Sequence, residues 1–253
     1  MDKRVIIIGA TSGIGREVAM QFLQAGWRVG VGARREDRLR ALAEEFPGKV
    51  EYEVLDVTGS DILERLEALI ERLGGMDIYF HASGIGSQNL RLDPSIEDRT
   101  VQTNVVGFTR MVDFAFNYLS SQGGGQIGAI SSIASTKGLG PAPSYSATKA
   151  FQTHYLEALT QLSNSRKLGV AITDIRPGFV DTELLAGDFH YPMKLRKEKV
   201  GKAIFHALVK KKAVVTIDWR YRVLVFFWRL VPAALWRKVR LIREEKKDDS
   251  PLV

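Results

Sequence analysis

Val5-Ile6-Ile7-Ile8 is an unbroken apolar run, and a few turn residues later Val18, Ala19, Phe22 and Leu23 recur at helical spacing. A short run apolar at every position suits a strand buried on both faces, and the three-to-four spacing suits a helix with one buried side. The alternation repeats down the chain. Strands are predicted at 5–8, 27–33, 50–55, 76–81, 126–131, 170–175 and 214–217, and helices at 13–25, 36–46, 61–73, 96–119, 144–164 and 198–210. Gly26, Pro47-Gly48 and Gly74-Gly75 close the first three helices. Such a βαβ series implies an α/β fold: a doubly wound parallel sheet of the Rossmann type with helices on both faces. No linker or repeat interrupts it. Residues 1–217 are expected to form one domain and 218–253 a basic, aromatic helical extension.

Composition narrows the chemistry. The 253 residues, 45% hydrophobic, suffice for one sizeable core. Cysteine is absent, which removes disulfides, thiolate catalysis and cysteine metal sites, and no metal site is expected. Met1–Arg4 runs into Val5 without the long apolar region or cleavage site of a signal peptide. The expected location is the cytoplasm or the cytosolic face of a membrane. The net charge of +7 resides in residues 210–253, so the rest of the chain has no bulk charge with which to attract nucleic acid.

Gly9-Ala10-Thr11-Ser12-Gly13-Ile14-Gly15 lies between the first strand and the first helix. Glycines there allow a tight turn and close approach of the backbone to a pyrophosphate, and the helix N-terminus offers free N–H groups and partial positive charge. An NAD site usually has an acidic residue at the end of the second strand to hold the ribose hydroxyls. This chain has Ala33-Arg34-Arg35, which leaves room and charge for a 2′-phosphate. The expected cofactor is NADP(H) in preference to NAD(H). Tyr145 and Lys149, four apart on a predicted helix, share one face, and an ammonium so close stabilises a phenolate. Tyr145 is therefore a candidate acid for carbonyl reduction and base for alcohol oxidation.

With these motifs the chain resembles the short-chain dehydrogenase/reductase family over about residues 4–217. The glycine loop, Asp56 after the third strand, Asn104, Ser132, Tyr145, Lys149 and Pro177-Gly178 stand in the family's order. The resemblance implies that Ser132 hydrogen-bonds the substrate oxygen, with its neighbour Ser131 the less favoured choice. It implies that Asn104 holds a water linking Lys149 to solvent, and that Lys149 also binds the nicotinamide ribose. Thr11, Ser12, Gly13, Ile14 and Gly15 would serve the pyrophosphate, Asp56 and Val57 the adenine, and Pro177, Gly178 and Thr182 the nicotinamide. The chain departs from the family's Asn-Ala-Gly after the fourth strand, reading His81-Ala82-Ser83-Gly84. Ala82 and Gly84 still suit close approach to the cofactor, and His81 reads as a packed strand-end residue rather than a catalyst.

Residues 219–243 hold three of the four tryptophans and no acidic residue, and their longest apolar runs are six and seven residues. A transmembrane helix needs roughly 20. Mixed Trp, Leu and basic residues suit a helix lying in a membrane interface. They equally suit a lid over the substrate cleft or a contact with a partner subunit, and burial in protein is the commoner fate of an apolar helix face. The expected substrate is a small carbonyl or alcohol. A lipophilic ketone such as a 3-oxoacyl or 3-keto lipid is suggested by the tail and the 183–197 loop. A homodimer or homotetramer built on the two long helices is implied by the resemblance. The competing reading is an NADP(H)-sensing interaction protein that docks through its basic tail.

Overall fold

The computed structural model describes residues 3–183 and 193–240. Seven strands, β1 (Arg4–Ile8), β2 (Arg28–Ala33), β3 (Val50–Val54), β4 (Ile78–His81), β5 (Gly125–Ile130), β6 (Val170–Pro177) and β7 (Val214–Ile217), form one sheet in the order β3-β2-β1-β4-β5-β6-β7. Every neighbouring pair is parallel. Strand order reverses between β1 and β4, and a crevice at the carboxyl ends of the strands there is where such sheets bind ligands.

The apolar run of β1 explains the two cores. Val5 and Ile7 point to one face, with α1 (Gly13–Gln24), α2 (Glu36–Glu45) and α7 (Lys197–Val209). Ile6 and Ile8 point to the other, with α3 (Ile62–Leu73), α5 (Phe108–Ser121) and α6 (Pro143–Arg166). A strand covered on both faces has no polar side to show, which is why β1 reads as a continuous apolar run.

The structure corrects one helix. The single helix expected over 96–119 is α4 (Pro94–Val101), a π-helical turn at Gln102–Gly107 and then α5. π turns inside helices concentrate at functional sites, and this one carries Asn104.

The C-terminal stretch folds as α8 (Trp219–Leu230) and the short α9 (Ala233–Trp236). Asp218 caps α8 by accepting from Arg220 N. Tyr221 and Val225 enter the same core as β1 and α1. Residues 241–243 of the predicted tail and most of the 183–197 loop lie outside the described residues. Among the described residues no helix is long and apolar enough to cross a membrane.

Candidate active site

A cleft of about 860 Å³ runs along the carboxyl ends of β1, β2, β4 and β6, from Arg34, Arg35 and Asp56 at one end to Tyr145 and Lys149 at the other. Gly9, Thr11–Gly15, Val57, Ala82, Gly84, Pro177 and Thr182 all line it, and Gly178 follows Pro177 at its edge.

At the first end the chain doubles back tightly. Gly9 has φ +92°, and a Cβ there would lie 2.7 Å from the Ser83 nitrogen; a Cβ on Gly15 would lie 2.2 Å from the Gly9 carbonyl oxygen. Only glycine lets β1, the loop and the turn after β4 meet so closely. The first N–H groups of α1 have no helical acceptor and face the cleft, as an anionic group requires. Ser12 makes no side-chain cap on α1. Its hydroxyl accepts instead from Arg35 at 2.6 Å, and Thr11 Oγ1 accepts from Arg35 at 3.1–3.2 Å. Arg34 turns away toward Asp56, 3.8 Å distant. Arg38, one turn further along α2, was not singled out by the sequence. It and Arg35 each reach the Glu183 carboxylate at 3.0 Å. Hydrogen bonds from Arg38 and Arg35 hold the Glu183 carboxyl down to about 2. The glycine cradle, the open helix end and the nearby guanidinium groups fit an anionic dinucleotide.

At the other end the groups are buried. Lys149 Nζ donates to the Ile130 carbonyl and to Gln152 Oε1, both at 2.8 Å, and lies 5.9 Å from the centre of the Tyr145 ring. Burial lowers the Lys149 ammonium to about 7, opposed by the charge of Asp174. Asp174 is itself held by Arg176 at 2.7 Å and accepts the Ser131 hydroxyl, which commits Ser131 to structure. Ser132 Oγ accepts from Ala134 N at 3.0 Å as it starts the 3-10 turn Ile133–Thr136. Ser132 is buried beside the cleft but is not among the residues that line it.

Asn104 does something the sequence did not announce. Its side chain accepts from Ile85 N at 2.9 Å and donates to the Ile85 carbonyl at 2.7 Å, pinning the loop after β4. Its own carbonyl accepts from Gln152 Nε2 at 2.8 Å. Gln152 thus links the main chain at Asn104 to Lys149 directly. Gly86 was also missed: a Cβ there would lie 2.3 Å from the Tyr145 ring. His81 is packed as expected, edge-on to Phe108 and bonded to the Tyr79 hydroxyl at 2.8 Å. Burial lowers its imidazole to about 3, so it is neutral at working pH.

The tail borders this end. The Tyr221 ring lies against Gly178, Trp228 Nε1 donates to Thr136 Oγ1 at 2.7 Å, and Trp236 Nε1 donates to the Gly138 carbonyl at 2.8 Å. Lys137 donates to the Val231 carbonyl at 2.8 Å. Two helices are thereby fastened to the segment that follows Ser132.

Comparison with known proteins agrees with this architecture. The profile of the family described as short chain dehydrogenase matches residues 3–190. An uncharacterized oxidoreductase of Myxococcus xanthus is 31% identical over 241 residues, 92% of this chain and 94% of that one. One from Staphylococcus epidermidis is 30% identical over 222 residues, 84% and 94% of the two chains. Among solved structures, ElxO with NADP bound superposes with a TM-score of 0.77 at 24% identity, covering 88% of this chain and all of that one. A 3-ketoacyl-(acyl-carrier-protein) reductase of Brucella melitensis complexed with NADH gives 0.78 at 21%, covering 85% and 96%. The chain belongs to the short-chain dehydrogenase family and is an oxidoreductase of the alcohol–carbonyl couple.

Proposed function

We propose that the protein reduces a lipophilic ketone to the alcohol, using NADPH in preference to NADH. The observation that carries this is the shared cleft: it begins at Arg34 and Arg35, just before α2, and ends at the Tyr145–Lys149 pair on α6. Thr11, Ser12, the first turn of α1, Arg35 and Arg38 would hold the phosphates, with Asp56 and Val57 at the adenine. Ala82, Gly84, Pro177, Gly178 and Thr182 would border the nicotinamide. When bound, the cofactor supplies hydride.

The chain's own groups manage the oxygen and its proton. The ammonium of Lys149 favours the phenolate of Tyr145, so Tyr145 gives up its proton to the carbonyl oxygen. The Ser132 hydroxyl donates to the same oxygen as it becomes an alkoxide. Two of the three Lys149 donor positions are spent on Ile130 and Gln152, and the third serves the ribose. Asn104 acts as a positioning residue through the Ile85 loop and Gln152. The aromatic side chains of α8 and α9 beside the segment after Ser132 favour an apolar substrate. The protein is read as cytoplasmic and as a homodimer or homotetramer joined through α4, α5 and α6.

The test is NADPH oxidation, with NADH in parallel, across carbonyls from small polar aldehydes to long-chain ketones. Turnover with long-chain ketones and NADPH is expected. Tyr145→Phe should cut the rate about 10²- to 10⁴-fold while NADPH binding, followed by fluorescence, is unchanged. Undiminished turnover by that variant would overturn the role of Tyr145. Tight NADPH binding with no carbonyl turned over would overturn the reductase reading.

A further inference from the structure

Helix α8 is apolar on two opposite sides. At about 100° per residue, Tyr221, Val225 and Trp228 fall on one side, and these are the side chains that pack inward. Trp219, Val223, Phe226, Phe227 and Leu230 fall on the other, within a sector of roughly 100°. They are 68%, 46%, 61%, 61% and 65% exposed. Half of the exposed large apolar side chains among the described residues lie between 219 and 239. A monomer surface seldom gathers so many in one place unless something covers them.

Charge identifies the cover. Arg222 and Arg229 lie along one edge of the outer apolar sector, both exposed, and neither makes an ion pair among the described residues. Arg237, Lys238 and Arg240 extend the basic border past α9, and no acidic residue occurs from 219 to 243. A second copy of this chain is a poor occupant. A two-fold contact sets the same patch against itself and would bring arginine against arginine with no carboxylate between them. An anionic lipid surface satisfies both properties at once: the rings and aliphatic chains enter the headgroup boundary while the arginines meet phosphate.

We infer that the outer face of α8, with the basic residues that follow it, docks the protein on an anionic lipid bilayer. Among the described residues no helix is long and apolar enough to cross; α8 is 12 residues long and lies in the plane of the interface. Its inner side is fastened through Trp228 to Thr136, in the segment after Ser132. Docking of this face depends on its exposure and charge and is independent of the reaction.

The protein is pelleted with vesicles of phosphatidylcholine alone and of phosphatidylcholine with phosphatidylglycerol, while its tryptophan fluorescence is followed with brominated lipid as quencher and compared with that of Trp219→Phe. Binding to the anionic vesicles only, with quenching, is expected. Arg222→Gln with Arg229→Gln should weaken it roughly 30-fold, and Phe226→Ser with Phe227→Ser at least about tenfold. Both variants should keep the melting temperature and the NADPH affinity of the parent. The inference is overturned if the protein stays in solution with both vesicles, or if the variants bind as the parent does. It is equally overturned if the phenylalanine variant instead lowers the mass of the oligomer in sedimentation, which would make the face a subunit contact.

Discussion

The two ends of the cleft are built on opposite principles. At the nucleotide end the shape comes from backbone, through Gly9 and Gly15, and the charge from exposed side chains: Arg34, Arg35, Arg38 and Glu183. At the Tyr145–Lys149 end Asn104, Lys149 and Gln152 are buried and joined through Gln152 by hydrogen bonds. Exposed charges are screened by salt and cost little to rearrange. Buried polar groups lose a full desolvation penalty when a partner is removed. One end can therefore be tuned a charge at a time, whereas the other behaves as a unit.

The sharpest break is Gly86→Val. A Cβ at this position collides with the Tyr145 ring at 2.3 Å, so the ring must move. Displacing a reacting group by an ångström costs about 100-fold or more in rate. The expected result is that loss in ketone reduction with NADPH affinity intact, read by steady-state kinetics beside a fluorescence titration. Full activity would show that the Tyr145 ring does not need the position it holds.

Arg35→Ala with Arg38→Ala addresses the exposed end. Each guanidinium can offer charge-assisted hydrogen bonds to a phosphate, and their removal should weaken NADPH binding roughly 10- to 100-fold. NADH binding should hardly change. Equal loss for both cofactors would mean that the arginines shape the loop through Thr11 and Ser12 rather than reading a phosphate.

The same contrast governs what could be read from sequence. Fold and glycine loop were legible because local patterns carry them: an apolar run where both faces are covered, helical spacing where one is. Arg38 and Gln152 each lie three residues beyond a singled-out residue, on the same helix face as Arg35 and Lys149. Helical geometry could have proposed both, although not what they touch. The π turn at Gln102–Gly107 and the demand for glycine at 86 have no local signal. They arise where Asn104 reaches the Ile85 loop and where Tyr145, distant in sequence, presses on it. The tail was legible as amphipathic, but its division into a packed side and an open side depends on Gly178 and Thr136 lying beneath it.

Gln152→Leu sharpens the picture of the buried end. Burial lowers Lys149 from its ordinary 10.5 to about 7, and the Gln152 carbonyl oxygen supports its charged form. Without that oxygen the ammonium should be weaker still. Ketone reduction needs the charged lysine beside Tyr145, so its rate should fall as pH rises through about 7 in the parent and through a lower pH in the variant. Stability follows a related course. The unfolded chain holds the lysine proton up to 10.5 and the folded protein only to about 7, so unfolding takes up a proton between these values. Stability from this group therefore rises with pH across that window, and in the variant the rise should begin lower. Denaturant titrations at several pH values, with pH–rate profiles, check both; unchanged profiles would detach Gln152 from Lys149.

The smallest expected effect tests how tunable the exposed end is. Glu183 sits 3.0 Å from both Arg35 and Arg38, and their hydrogen bonds keep it ionised at any working pH. Its carboxylate takes up donors that a 2′-phosphate would need, so it competes with NADPH but not with NADH. The pair is exposed, so solvent screening keeps the competition weak. Glu183→Gln keeps the shape and removes the charge. NADPH should bind up to about fivefold more tightly, with NADH unchanged, and the gain should shrink as salt is raised. Fluorescence titrations of both cofactors at low and high ionic strength measure it. Weaker NADPH binding by the variant would reverse the reading: Glu183 would then be aiming the two arginines at the phosphate rather than standing in its place.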